Sequence, residues 1–297
     1  MGEWFGVVIA VVSSSLGGTG ATVTRYLAAE ADPFTLGILR FGLGFLIVLP
    51  ITLMLRSRWP ERGDWPGVVG LGVMFYGIAM LLYNLSLNYT TAARATLALA
   101  TLPFLTMLVG ALLRIEPMTA RKTAGVFIAM AGVGFALAAD VELAPEGAWR
   151  GEVLMLGTSL LMSFYNVWSR PFIERTDALA FLTVGMGGGA VFLVIAGAFS
   201  GAAAEVAAFG PREWIAGLYL GAGPGAMAFV LWVLALKYAS PTRVAVTMTA
   251  NPLAAALLAI VLLDEPITLG FVSGLLVVFA GIWIAASQPE IVQTTSE

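Results

Sequence analysis

Hydroxyl, amide and aromatic side chains recur inside long apolar stretches of this chain, where a polar group has to face other protein or a water-filled cavity. Ser13, Ser14 and Ser15 form one group, Ser159, Ser163, Asn166 and Trp168 a second, and Tyr76, Tyr83 and Asn84 a third. Tyr83 and Asn84 lie seven and eight residues after Tyr76, so a helix projects all three from nearly one face. Trp232 adds an indole, and Thr101 and Asn251 stand beside Pro103 and Pro252. Together these groups can hydrogen-bond and stack, which suits a zwitterion or a flat organic molecule. Interhelical hydrogen bonding is the competing reading for the serines, and an interfacial belt position for the tyrosines and Trp168.

Covalent chemistry has little to work with. The 297 residues contain no histidine and no cysteine, and the two lysines, Lys122 and Lys237, fall near expected helix ends. That removes the usual general base, thiolate nucleophiles, Cys/His metal sites and disulfides. We expect no catalysis, no metal and no cofactor. A GxxxxGK[ST] phosphate loop is lacking, so direct ATP drive is not expected unless a partner subunit supplies it, and no ATPase subunit is evident. With a net charge of −3 and no basic run, nucleic acid is an unsuitable partner.

The polar groups need elements to position them. Hydrophobic residues make up 59% of the chain and charged residues 11%, against about 25% charged in soluble domains. Lipid is the solvent that such a composition fits. Apolar runs of about 20 residues occur at 4 to 23, 33 to 55, 65 to 88, 92 to 113, 122 to 139, 150 to 170, 179 to 199, 213 to 237, 241 to 263 and 269 to 287. They are apolar all round, without the two-residue alternation of a barrel, so the expected fold is an all-α membrane protein of ten transmembrane helices. The first run lacks a small-residue cleavage site and reads as a retained helix. Placing the N-terminus inside puts ten of the fifteen Lys and Arg residues on the inner side and four on the outer, with Arg40 inside a span. Both termini are therefore expected to be cytoplasmic.

Residues 82 to 136 align without gaps on 231 to 285 at an offset of 149. Tyr89 matches Tyr238, Arg94 matches Arg243, Pro103 matches Pro252, and Glu116, Pro117 and Thr119 match Glu265, Pro266 and Thr268. Gly125 and Gly132 match Gly274 and Gly281, and Trp65 matches Trp214. The halves, 1 to 145 and 146 to 297, hold five spans each. An odd number sends the second half into the membrane from the opposite side, so two inverted five-helix repeats are expected. Secondary transporters are built this way, with the solute site near the midplane between the halves.

Pro103 and Pro252 fall mid-span at equivalent positions, each depriving a carbonyl one turn earlier, at Leu99 and Met248, of its helical donor. Paired interruptions are a pointer to a transport site, against the simpler reading of a packing kink. The substrate-binding set on this reading is Ser14, Tyr76, Tyr83, Asn84, Thr101, Pro103, Ser163, Asn166, Trp168, Trp232, Met248, Asn251 and Pro252. Arg40 is the one clearly intramembrane charge, and a structural role, snorkelling or tying down carbonyls, is the favoured reading for it. Thr119 and Thr268 can cap spans five and ten. Arg94 opens span four on the side where span nine ends at Glu265, and Arg243 opens span nine where span four ends at Glu116. Two ion pairs that latch opposite mouths in alternate states are expected from that placement. Glycines, at Gly217, Gly221, Gly225, Gly270 and Gly274 among others, have the small-residue spacing of close helix packing.

The segment LYNLSLNYTTAARATLALATLPFLTMLVGALLRIEPMT and its partner LWVLALKYASPTRVAVTMTANPLAAALLAIVLLDEPIT resemble the EamA type of the drug/metabolite transporter superfamily, and Arg40-Phe41 is similar to the same family's pattern. The likeness covers nearly the whole chain. It implies a ten-helix exporter of metabolites, amino acids or small toxic organics in a bacterial cytoplasmic membrane, with amino-acid exporters, including aromatic ones, as the nearest likeness. Every acidic residue falls at or beyond a span end, which favours downhill export or exchange over proton antiport. Efflux of flat organic cations and a channel-like facilitator are the rival functions.

Overall fold

Prolines and small hydroxyl or carboxylate caps decide where the helices start. Asp32 Oδ1 accepts from Thr35 N at 2.7 Å ahead of Pro33; Thr91 Oγ1 accepts from Arg94 N at 3.2 Å; Ser240 Oγ accepts from Arg243 N at 3.4 Å ahead of Pro241. Each satisfies a donor that the first helical turn leaves without a partner. Thr268 does the same for Phe271 N at 3.1 Å. In the computed structural model, which describes residues 3–115, 119–139, 144–265 and 267–286, the elements so started are α1 (Glu3–Leu27), α2 (Pro33–Met54), α3 (Trp65–Ser86), α4 (Ala92–Leu112), α5 (Ala120–Ala139), α6 (Ala148–Trp168), α7 (Ala178–Gly197), α8 (Pro211–Tyr238), α9 (Arg243–Leu263) and α10 (Leu269–Ala286). Short helices Arg170–Arg175 and Ala202–Ala208 lie between α6 and α7 and between α7 and α8. No strand occurs among the described residues.

The protein is an all-helical membrane protein. Seven helices, α1 to α4 and α7 to α9, are long and apolar enough to cross a bilayer on their own composition; α5 and α10 have shorter apolar stretches, Thr123–Ala136 and Leu269–Gly281. Large apolar side chains cover the outside, among them Met54, Val261 and Leu269, each more than four-fifths exposed. Water would penalise that surface and lipid does not. The first helix runs past its expected end at 23 because Arg25 does not stop it: its Nη1 donates to Leu87 O at 2.6 Å.

Among the described residues three helices widen into π turns, α2 at Ile38–Gly42, α3 at Val73–Ala79 and α8 at Gly221–Met227. Such turns leave the regular hydrogen-bond ladder and cluster at functional sites. In α4 the helix lapses at Ala100 and Thr101 just before Pro103, and in α9 it tightens to a 3₁₀ turn at Thr247–Thr249 just before Pro252. The prolines interrupt both helices as their missing N–H requires.

Packing places α1 against α8 and α9, α6 against α3 and α4, α7 against α2 and α3, and α5 against α10. The α5–α10 contact is close because small residues face each other: a Cβ at Gly132 would come within 2.9 Å of Gly274 O. In the centre, Phe75 stacks on Tyr165 with ring centroids 4.3 Å apart, Tyr76 Oη and Tyr165 Oη lie 3.0 Å apart, and Phe41 and Phe229 complete the cluster.

Candidate functional site

A cavity of about 40 Å³ opens beside this aromatic cluster, where α1, α8 and α9 meet α2, α3 and α6. On the scale where one water takes roughly 10–15 Å³, that is room for about three. From α1 come Ser13, Ser14 and Gly17; from α2 Arg40; from α3 Met80 and Tyr83; from α8 Phe229 and Trp232; from α9 Met248 and Asn251. Leu99 and Met162 complete the wall together with Ala228. The lapses in α4 and α9 and the π turns in α2 and α8 all lie at or next to this wall, so irregular backbone occurs where it borders a cavity, as lipid requires.

Of the expected binding residues, Ser14, Tyr83, Trp232, Met248 and Asn251 are brought together here. Ser14 Oγ lies 3.1 Å from Thr247 Oγ1 and 3.6 Å from Met248 Sδ. Trp232 Nε1 donates to Asn166 Oδ1 at 3.2 Å, so Asn166 supports the indole from behind. Pro252 is buried next to Asn251. The others lie elsewhere. Tyr76 is in the aromatic cluster, bonded to Tyr165. Asn84 Nδ2 donates to Pro33 O at 3.0 Å, toward the start of α2. Ser163 and Thr101 donate back along their own helices, to Leu160 O and Ala98 O. Pro103 lines a separate small pocket with Phe104 and Gly125. Trp168 is 43% exposed and packs on Phe164 at the end of α6.

Arg40, Phe229, Met80 and Met162 line the cavity without having been placed in the binding set. For Arg40 the signal was present, since a lone charge at membrane depth is a functional candidate by default. Among the described residues no Asp or Glu lines this cavity. Several buried polar atoms on or near it have no protein partner: Arg40 Nε and Nη1, Tyr83 Oη, Asn166 Nδ2 and Asn251 Oδ1. Donors and acceptors held open in this way are free to bond a polar group that enters the cavity.

A second pocket, about 90 Å³, lies at the end of the bundle where α4 and α10 begin and α9 ends, lined by Thr91, Arg94, Glu265, Thr268 and Phe271. Arg94 donates from Nε and Nη2 to Glu152 Oε1 of α6, at 2.9 and 2.7 Å. Glu152 was not foreseen as this partner; Glu265 shares the pocket wall with Arg94. Both members of the Arg94–Glu152 pair are largely shielded, at 11% and 17% exposure. Arg94→Glu should therefore cost about 2–4 kcal/mol of stability and most of the transport. The paired reversal with Glu152→Arg should recover most of both, read by detergent-solubilised unfolding and by flux. On α9, Arg243 sits in the first turn, capped by Ser240. Glu116 and Pro117 lie outside the described residues.

Burial pushes the Glu265 carboxyl up from its ordinary range, opposed by the Arg25 charge and the Ala92 backbone amide. A raised carboxylate pKa means that the folded protein holds a proton which the unfolded chain releases. The folded state accordingly loses stability as pH climbs from the ordinary carboxylate value through the raised one. Glu265→Gln should remove that decline, seen as a flatter dependence of the unfolding midpoint on pH above the ordinary carboxylate range.

A helical membrane bundle with a cavity at its centre that mixes apolar, aromatic and polar side chains, and with its helix interruptions on the cavity wall, is the construction of a solute transporter. The family model described as the EamA-like transporter family matches twice, at residues 4–138 and 149–287, and the chain belongs to that family. It is thus a multi-pass membrane transporter for small molecules. It is similar to an uncharacterized transporter of Archaeoglobus fulgidus, 30% identical over 87% of this chain and 89% of that one. A probable terminal-alkyne amino-acid exporter of Streptantibioticus cattleyicolor is 27% identical, covering 81% of each chain. A solved structure, described only as the crystal structure of a protein, superposes with a TM-score of 0.69 over 95% of this chain and 96% of the other at 22% identity, which establishes the shared fold.

Proposed function

We propose that the protein exports small amino acids or closely related zwitterions by alternating access, the solute passing through the cavity between α1, α2, α3, α8 and α9. The single observation that carries this is the cavity wall itself: aromatic faces, no acid among its described residues, and buried polar atoms on two sides left without protein partners. The named amino-acid exporter among the relatives supports the solute class. Efflux of flat cations is the weaker alternative, because no acid among the described residues lines the cavity to hold a positive charge.

On this reading α5, α6 and α10 also cross the membrane, giving ten spans in two inverted repeats, 1 to 145 and 146 to 297. Several pairs support it. The π turns of α3 and α8 stand within one residue of the 149-residue offset, 148 apart. Gly132 meets Gly274 and Val278 just as Gly281 meets Gly125 and Ala129, which is the same contact with the halves exchanged. Ser13 Oγ donates to Ala228 O at 2.7 Å and Thr158 Oγ1 to Ala79 O at 3.1 Å, and these acceptors too are equivalent. Their donors are not: Thr158 corresponds to Ile9, one helical turn before Ser13. The halves therefore make different contacts with the same pattern, as a carrier resting in one of two mirror-related states must. On this reading Arg94, held here by Glu152, and Glu265, which lines the same pocket, latch one mouth, and Arg243 with Glu116, a residue outside the described ones, would latch the other. The excess of positive residues on one side supports cytoplasmic termini on this reading, and a bacterial inner membrane is the location it proposes.

The test is counterflow in liposomes loaded with unlabelled alanine, leucine or phenylalanine, following entry of the labelled amino acid with and without a pH gradient. Saturable counterflow that ignores the gradient supports downhill exchange. Unsaturable flux would point to a channel, and no flux of any amino acid would remove the solute assignment.

A further inference from the structure

Resting on the carrier reading above, we infer that Arg40 anchors a carboxylate on the transported solute, so that the protein carries amines bearing a carboxylate and rejects their amide derivatives. Arg40 is 3% exposed, on the cavity wall, and its Nε and Nη1 are buried without hydrogen-bond partners. Its ζ carbon lies 5.3 Å from the Tyr83 ring centroid, 5.5 Å from that of Phe41 and 5.9 Å from that of Phe229. Aromatic faces steady a cation, but they do not replace two N–H···O bonds.

A guanidinium carries its donors in a planar fork that matches a carboxylate bidentately. With no Asp or Glu among the described residues of the wall, the matching anion has to arrive with the solute. The backbone holds the fork in place. Arg40 lies in the π turn Ile38–Gly42, and its carbonyl presses so closely on Gly225, in the π turn of α8, that no Cβ fits between them. On α9, Asn251 Oδ1 lines the same cavity as an acceptor without a partner. A zwitterion answers both groups, with its carboxylate on Arg40 and its ammonium on Asn251. Were Arg40 only pinning α2 to its aromatic neighbours, the head group of the solute would not matter to it.

The experiment uses full-length protein in liposomes and counterflow of labelled alanine, leucine and phenylalanine. Each is competed with the unlabelled amino acid, its amide, and the acid lacking the amino group, for leucine these being leucinamide and 4-methylpentanoate. The amide should compete at least about 30-fold more weakly than the amino acid, with the simple acid in between. Equal competition by amide and amino acid overturns the role of Arg40 and leaves the carrier standing. Absence of counterflow for the whole set overturns the carrier reading, and this inference with it. In Arg40→Gln the preference for acid over amide should fall to within about 3-fold, and Arg40→Lys should keep part of it; full preference in Arg40→Gln also overturns the inference. Competition on the wild-type protein decides the question even where a variant fails to fold.

Discussion

Valine in place of Gly18 is expected to abolish transport and to lower stability by about 3 kcal/mol. Gly18 lies on α1 where it crosses α9, and a Cβ there would overlap Asn251 O and stand 3.0 Å from both Ala254 Cβ and Ala255 N. Two of those three atoms are backbone, so no rotamer change relieves the clash and α1 has to move away. The same face of α1 carries Ser14 one turn earlier, beside Thr247, and Thr22 one turn later, whose Oγ1 donates to Ala255 O at 2.8 Å. Separation therefore breaks bonds on both sides of Gly18 and pulls one cavity wall from the other. Gly70→Val is the control, because a Cβ at Gly70 meets nothing within 4 Å. Unfolding in detergent and amino-acid counterflow should both collapse for Gly18→Val and both hold for Gly70→Val.

How much of this could be read from the chain depends on whether a feature belongs to the string or to its folding. The 149-residue offset is a property of the string. It led directly to Pro103 and Pro252, and both helices do lapse there. Helical character and membrane residence followed from composition, since no other solvent accepts side chains such as Val261 and Leu269 on the outside. Tyr76 shows where regular periodicity misleads. Seven residues separate it from Tyr83, which on an ideal helix would put both on the cavity, but the π turn Val73–Ala79 changes the rotation per residue between them. Tyr83 reaches the cavity and Tyr76 turns to Tyr165.

Partners across helices were the least legible part. That Arg94 would meet Glu152 depends on how the first turn of α6 lies beside the first turn of α4, and no local pattern encodes that. Arg40 was visible as an isolated charge, yet whether it faced lipid headgroups, carbonyls or a cavity depended on α1, α3 and α8 closing around it. Trp168 could be placed at depth or at the interface, and the end of α6 puts it on the outer surface. In each case the residue type was informative and its surroundings were not, because those are set by elements far away in sequence.

Asn251→Leu should separate stability from function more cleanly than any other change at the site, leaving folding intact or slightly improved while lowering counterflow at least about tenfold. Asn251 is 2% exposed, and its Oδ1 is buried with no hydrogen-bond partner among the described residues. A buried acceptor without a partner costs about 1–3 kcal/mol, and a branched apolar side chain of similar shape removes that cost. The close contact of α9 with α1 at Gly18 is made by the Asn251 backbone carbonyl, and the side-chain amide lies against Gly17, where it makes a packing contact that a leucine of similar shape can replace. If the acceptor served the fold, its loss would lower the unfolding midpoint; if it receives the ammonium of a solute, the midpoint holds and the apparent affinity falls. Retained counterflow in a stable Asn251→Leu protein would take the solute away from α9. A protein that keeps an unsatisfied polar atom at the meeting point of its helices gives up stability there, and in a carrier the compensation comes only while solute is bound.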